Sequence, residues 1–335
     1  MRPWWQDKPW RNTLDPSGQS DILAGRKRAV QQIRRLVIVN PIAGGGSGAR
    51  LWPAVQSRLH ELGLSFDSVM TEYAGHAVAL ARDAVKSGYQ MVIGVGGDGT
   101  LHEIANGVLA TQAQGTPDVI VGVVPVGTGG DFVRSLGIPR PWPQACTRLQ
   151  GDTTRLIDVG DMHYTGQGGA EHRYFVNVAG LGFDGEVAMR TNKAPKRFGG
   201  TIPYLTNLVL TLVSYGNKDV ELFVDDERRA GRMNSVIVAN GAWFGGGMFI
   251  APQACPDDGL LDVLTIGDIG KLDLLQTMPR VYRGTHLTHP KVCLFRTQQV
   301  RVESRQDMWI QADGESLGRA PVAFSIRPQA IRLKV

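Results

Sequence analysis

Three short apolar runs, each leading into a glycine cluster, constrain this chain more than any other feature. "LVIVN" (Leu36 to Asn40) runs into Pro41 and the loop Gly44 to Gly46. Helical periodicity then passes through Leu51, Val55, Leu59 and Leu62 to a stop at Gly63. "SFDSVMT" alternates as a second strand, and "AVALARDAVKSG" predicts a helix ending at Gly88. "YQMVIGVGG" and "DVIVGVVPVG" are further strands, with the helix "TLHEIANGVLA" between them. Strands apolar on both faces, alternating with helices, specify a parallel α/β sheet. Ligands of such sheets bind at the carboxyl ends of the strands, where each glycine cluster of this half falls.

After about residue 140 the texture changes to β-rich pieces such as "RYFVNVAGLGF", "RMNSVIVANGAWF" and "KVCLFRTQQVRVES". Helices are expected there only near Glu186 to Arg190, Ile202 to Tyr215 and Lys271 to Tyr282. The fold class expected is an α/β N-terminal domain plus a β-rich sandwich, with the site in the cleft between them. The expected divisions are an arm at 1–34, an α/β nucleotide-binding domain at 35–140, a β-sandwich substrate domain at 141–317, and C-terminal strands at 318–335 that return to the first domain.

Glycine makes up 42 of 335 residues, well above the usual share of about 7%. Its clustering at 44–46, 94–99, 127–130 and 245–247 points to loops whose backbone approaches something closely. Cys146, Cys255 and Cys293 are too far apart for a CxxC metal pair, suit a reducing compartment, and read as small buried hydrophobes. No apolar run approaches the ~18 residues of a membrane span. The net charge is +5 over the chain, and residues 1–35 carry an excess of that size. Trp4, Trp5 and Trp10 lie among those cations. Without an apolar core the arm does not read as a signal peptide. It suits either a solvated tail or the anionic surface of a membrane. The body has no matching basic excess, which argues against nucleic acid.

"GVGGDGTLHEIANG" (Gly94 to Gly107) poses the functional question. Gly94-x-Gly96-x-x-Gly99 has the dinucleotide spacing, as does Gly44-x-Gly46-x-x-Ala49, with Glu72 near the place of the ribose-binding acid. No G-K-[ST] follows any glycine run, so there is no P-loop. Glycine N–H groups at helix starts bind phosphate under either reading. Asp98 would repel phosphate unless it serves a cation or a proton transfer, and Asp131 of "PVGTGGDFVR" stands in a similar place. Two carboxylates at adjacent strand ends suit Mg²⁺–nucleotide chemistry. Thr100 is expected to cap the following helix, with Glu103 three residues on.

These stretches, with "NPIAGGGSG", "PVGTGGDFVRSLGIP", "LIDVG", "NVAGLGFDGEVA", "PDDGLLDV" and "ADGES", resemble the diacylglycerol kinase catalytic family in order over about residues 35–335. Soluble bacterial lipid kinases, sphingosine kinases and ceramide kinases belong to it. "GGDGT" alone also admits the NAD kinases, but "TLHEIANGV" and the later motifs resemble lipid kinases. The resemblance implies transfer of the γ-phosphate of ATP to the hydroxyl of a lipid alcohol such as diacylglycerol, with Mg²⁺, at a cytoplasmic membrane face. It also implies pairing into homodimers. Nucleotide contacts would come from Asn40, Pro41, Gly44, Thr71, Gly96, Gly97, Asp98, Gly99, Thr100 and Thr128. Asp313 and Glu315 of the Asp-Gly-Glu motif would supply the general base, beside Asp98. Mg²⁺ would be held by Asp258 and the carbonyls of Cys255 and Leu260, and Asp131 would face the lipid. One departure is Gly130, which stands where the family usually has Asn.

The alternatives are a sphingoid-base or ceramide kinase, an NAD(P)-dependent oxidoreductase, and a nucleotide-binding regulator without turnover. His76 is placed either at the nucleotide or as a helix-start residue. Trp243, Phe244, Met248 and Phe249 either border an acyl pocket or pack the core. Arg50, Lys193, Lys196 and Arg197 read as surface cations within reach of phosphate or headgroups.

Overall fold

Strand β1 (Arg35–Val39), apolar after its first residue, lies parallel between β2 (Asp67–Met70) and β3 (Met91–Gly96). β4 (Ile120–Pro125) adds parallel to β3. The crossovers are α1 (Ala43–Glu61), α2 (His76–Lys86) and α3 (Asp98–Leu109). β2 is the edge and is mostly exposed, whereas β3 is buried throughout. Gly44, Gly45 and Gly46 all have positive φ, so α1 becomes regular only after them. α4 (Asp131–Ser135) and α5 (Trp142–Arg148) follow β4. The computed structural model describes residues 33–111, 119–166, 168–193, 201–225 and 227–335. The basic tryptophan arm through residue 32, Lys196, Arg197 and the Lys193 side chain lie outside what is described.

The second half opens with β5 (Thr154–Gly166), β6 (Gly169–Phe175), β7 (Val178–Gly182), α6 (Phe183–Lys193) and α7 (Thr201–Ser214). Next come β8 (Lys218–Val224), β9 (Glu227–Met233), β10 (Ser235–Ala239), β11 (Leu261–Ile266) and α8 (Lys271–Val281). The chain ends with β12 (Val292–Thr297), β13 (Gln299–Ser304), β14 (Trp309–Ala312) and β15 (Glu315–Lys334). Pairing within this half is antiparallel, in the order β12-β11-β10-β7-β14-β15. β5, β8 and β13 turn onto the other layer. The fold is therefore an α/β domain joined to a β-sandwich.

β15 joins the two halves. It pairs antiparallel with β14, β13 and β5, and at Arg332 and Leu333 it runs parallel to β4. Ile331 and Leu333 thereby enter the α/β core with Ile38, Ile104 and Phe132. The sandwich core holds Phe175 edge-on to Phe324, centroids 6.1 Å apart. Of the three cysteines only Cys146 is buried. Cys293 is exposed and Cys255 half-buried, contrary to expectation, because Cys293 lies on β12 at the edge of its sheet and Cys255 in the loop before β11. Among the described residues no helix is long and apolar enough to cross a membrane.

Candidate active site

The carboxyl ends of β1, β3 and β4 meet as three bare backbone loops. A Cβ on Gly127 would lie 2.7 Å from Gly97 Cα, and one on Gly44 would lie 2.5 Å from Val126 O. Only glycine lets these loops stack so closely. Asn40 holds the rim together, its Nδ2 donating to Thr100 Oγ1 at 3.0 Å and its Oδ1 accepting from Ile42 N at 3.2 Å. Thr71 N donates to Val39 O, and Thr128 O accepts from Arg140. Asn40, Pro41, Gly44, Thr71, Gly96 to Thr100 and Thr128 thus share one end of the parallel sheet.

Thr100 does not cap α3. The helix starts at Asp98 with Gly97 extended before it, and the Thr100 hydroxyl is committed to Asn40. Glu103 caps the neighbouring helix instead, accepting from Gly75 N and Ala77 N at 3.0 Å each. Those unpaired N–H groups at the start of α2 attract the carboxylate more strongly than its own turn does. His76 accepts from Glu72 N and stacks on Tyr73 at 4.4 Å.

Asp98 accepts from Asp131 N at 3.1 Å and Phe132 N at 3.3 Å. Gly129 leaves room for it, since a Cβ there would lie 2.7 Å from Asp98 Oδ2. Burial pushes the Asp98 carboxyl above its ordinary range. The two N–H groups oppose that shift, and the charges of Asp131 and Asp313 add to it. Asp131 Oδ2 accepts from Gly246 N at 2.7 Å, while its buried Oδ1 has no partner among the described residues.

From the sandwich side, Asp313 sits at the β14–β15 turn with φ 48°. Its carboxylate accepts from Val176 N, Asn177 N and Val178 N at 2.8, 3.0 and 3.0 Å. His102 Nδ1 lies 2.8 Å from the same group. Glu315, one-third exposed, meets Arg173 at 3.0 Å and His102 Nε2 at 3.6 Å. Burial draws the His102 pKa down, but the two carboxylates override it and leave it at about 9. Burial likewise raises the Glu315 carboxyl, and His102 and Arg173 more than offset it, leaving it at about 2.

A cavity of about 240 Å³ has Asp98, Asp131 and Asp313 in its wall. The rest of the wall is mainly apolar, including Phe183, Ile237, Phe244, Met248, Ile250 and Leu274. Trp243 and Phe249 stack on each other at 4.1 Å, so the aromatic loop divides between cavity and packing. Asp184 also lines the cavity, with burial raising its carboxyl to about 6. Loop 255–260 is not in this wall. Asp258 pairs there with Arg296 and accepts from Leu260 N at 3.1 Å, while Cys255 O accepts from Asp258 N. Arg50 donates to Ser47 Oγ.

His102, Asn106, Arg173 and Asp184 are additions that sequence reading passed over. Asp98, His102 and Asn106 recur at four-residue intervals, a polar stripe on an otherwise apolar helix, and that spacing was the available signal. Asn106 uses it to exchange hydrogen bonds with both backbone groups of Tyr174 on β6.

A glycine-lined α/β rim and the buried sandwich carboxylate Asp313 meet at one cavity, and the matched families place a chain of this kind among the phosphotransferases. The diacylglycerol kinase catalytic domain matches residues 34–162, and the YegS C-terminal NAD kinase beta sandwich-like domain matches residues 177–335. The chain belongs to the diacylglycerol kinase family and is an enzyme of the lipid-kinase type. This excludes the oxidoreductase alternative. It is 29% identical to a diacylglycerol kinase of Staphylococcus carnosus (strain TM300), over 87% of this chain and 91% of the relative. It is 28% identical to a diacylglycerol kinase of Bacillus subtilis (strain 168), over 87% and 92%. The crystal structure of a diacylglycerol kinase from Bacillus anthracis str. Sterne has the same fold, with TM-score 0.67 at 19% identity over 90% of this chain and 96% of that one. Another structure from that organism gives TM-score 0.74 at 21% identity, over 92% and 97%.

Proposed function

We propose that this chain transfers the γ-phosphate of ATP to the hydroxyl of a membrane lipid alcohol such as diacylglycerol. The observation that carries this reading is the apolar cavity whose wall includes Asp98, Asp131 and Asp313. An acceptor with a hydrocarbon body and a hydroxyl at one end matches that distribution of polarity. The volume lies below the ~300–1,000 Å³ of pockets that enclose whole small molecules. It therefore suits part of an acyl chain, with the rest of the lipid outside.

The surface beside the cavity supports contact with a bilayer. α7 exposes Val209, Leu210 and Val213, and α8 exposes Leu272 and Leu275, with Tyr282 exposed just after it. The same two helices send Leu208 and Leu274 into the cavity wall. Exposed apolar side chains on both mark a face for the interfacial region of a membrane, at its cytoplasmic side.

Nucleotide phosphates fit the rim formed by Asn40, Pro41, Gly44, Thr71, Gly96 to Thr100 and Thr128, because no side chain intervenes between them and the glycine N–H groups. The unpartnered Asp131 Oδ1 suits a cation or the lipid hydroxyl. Mg²⁺, when bound, supplies charge neutralisation on the transferred phosphoryl group. A second ion at loop 255–260 would take Asp258 and the carbonyls of Cys255 and Leu260, in exchange for Arg296.

Asp98 is the general base in this proposal. Burial raises its pKa and makes it a better proton acceptor than an ordinary aspartate, and it takes the hydroxyl proton as the lipid oxygen bonds to the γ-phosphorus and ADP departs. Asp313 has its oxygens taken up by three backbone N–H groups and His102, and serves to position the cluster. Glu315 holds His102 and Arg173.

Labelled-phosphate transfer from ATP·Mg²⁺ to diacylglycerol, a sphingoid base, ceramide and a short-chain lipid alcohol in mixed micelles tests the reading. The expected result is transfer to one acceptor, lowered about 10²–10⁴-fold by Asp98→Asn. ATP binding with no transfer to any acceptor overturns it.

A further inference from the structure

The β5–β6 hairpin gathers chemistry that phosphoryl transfer does not use. Its antiparallel register sets His163 directly opposite His172. Asp161, two residues earlier on β5, shares their face because strand side chains alternate. Asp161 Oδ1 lies 2.7 Å from His172 Nε2 and 3.3 Å from His163 Nε2. One ligand atom from each residue falls within 4.8 Å of the other two, and this is the one such trio among the described residues.

The 3.3 Å separation is that of two ligands on a single ion, and the 2.7 Å hydrogen bond would open by about 0.6 Å to reach it. Metal–nitrogen and metal–oxygen bonds of about 2.0–2.2 Å put neighbouring donors of a tetrahedral site roughly 3.3 Å apart. Two imidazoles and one carboxylate select Zn²⁺ and its transition-series neighbours over Mg²⁺ or Ca²⁺, which prefer oxygen. The side chains of His163, His172 and Asp161 are 66%, 39% and 21% exposed, which leaves a coordination position open to water. Hydrogen bonding alone explains less, because exposed pairs contribute at most about 1 kcal/mol. Here both ring nitrogens converge on one oxygen.

We infer that Asp161, His163 and His172 form a binding site for a divalent transition-metal ion of the Zn²⁺ type. The ion clamps the hairpin. The next residues of β6 are Arg173, which holds Glu315, and Tyr174, which bonds Asn106. A clamped hairpin therefore steadies the strand on which the catalytic cluster leans.

The test titrates the tag-free full-length chain with Co²⁺, read by its visible absorption, and then with Zn²⁺, read by calorimetry and thermal unfolding. One equivalent per chain is expected, with a Co²⁺ band bleached by Zn²⁺ and untouched by excess Mg²⁺. Saturating Zn²⁺ should raise Tm by several degrees. His163→Ala alone, at an exposed position, should weaken binding more than about tenfold. Absence of saturable uptake, or uptake unchanged in the double variant His163→Ala/His172→Ala, overturns the site.

Discussion

Asp313 Oδ2 and His102 Nδ1 lie 2.8 Å apart although 211 residues separate them in the chain. Helix α3 of the α/β half is thereby fastened to the β14–β15 turn of the sandwich. Because the folded His102 pKa stands at about 9, above 6.5, its contribution to stability is complete below pH 6.5 and lost as pH rises through 9. The Glu315 carboxyl, lowered from 4.5 to about 2, contributes above pH 4.5 and stops contributing as pH falls through 2. His102→Gln should therefore lower Tm most near pH 6 and little near pH 10. Thermal unfolding across that range checks it. An equal loss at both ends would disprove the charged assignment.

Asp98→Asn removes the proposed base while keeping its size and its acceptance from Asp131 N. Turnover should fall about 10²–10⁴-fold. Nucleotide protection against thermal unfolding should persist, since the glycine amides remain. Asp313→Asn differs in kind. It weakens four hydrogen bonds and should lower stability together with turnover. Parallel kcat and Tm measurements separate the two.

The parallel α/β order was legible because β1, β3 and β4 are apolar runs bounded by glycine, a pattern that depends only on neighbours. Loop 94–100 and the "ADGES" turn were legible as motifs. Their meeting was expected only through the family resemblance, because it depends on β15 reaching from Glu315 to β4, and no local pattern encodes such a path. His102 escaped notice for the same reason. A histidine on an apolar helix face reads as core until the carboxylates that protonate it are brought from the other end of the chain. Glu103 misled in the opposite sense, its capping-box spacing being real but its carboxylate drawn to Gly75 N and Ala77 N.

Asp184 is a buried carboxylate that costs stability at neutral pH. Burial raises its pKa from 3.8 to about 6, partly countered by Gln311, and its Oδ1 has no partner among the described residues. The folded state prefers the protonated form. Its favourable contribution is complete below pH 3.8 and fades as pH rises through 6. Asp184→Asn should raise Tm at pH 8 and leave it nearly unchanged at pH 4. No gain at pH 8 would show that the folded chain holds this carboxylate as an anion without penalty.

Gly130 stands where the family resemblance implies Asn, and its backbone suits both residues. It precedes α4 with φ 65° and ψ 35°, in the left-handed region. Glycine enters that region freely, and asparagine tolerates it better than other side chains. Both residues thus satisfy the same turn, which delivers Asp131 N to Asp98. A Cβ at this position would lie 3.3 Å from Arg140 Nε, the middle of a side chain able to shift. Gly130→Asn should therefore cost little stability, whereas Gly130→Val should cost about 1–2 kcal/mol or more. Because the turn aims an N–H at the proposed base, the valine variant should also lose turnover, and the asparagine variant should keep it. Denaturant unfolding and phosphate-transfer rates on the two variants decide the matter. If Gly130→Asn proves as damaging as Gly130→Val, it is space at this turn, and not backbone conformation, that requires glycine.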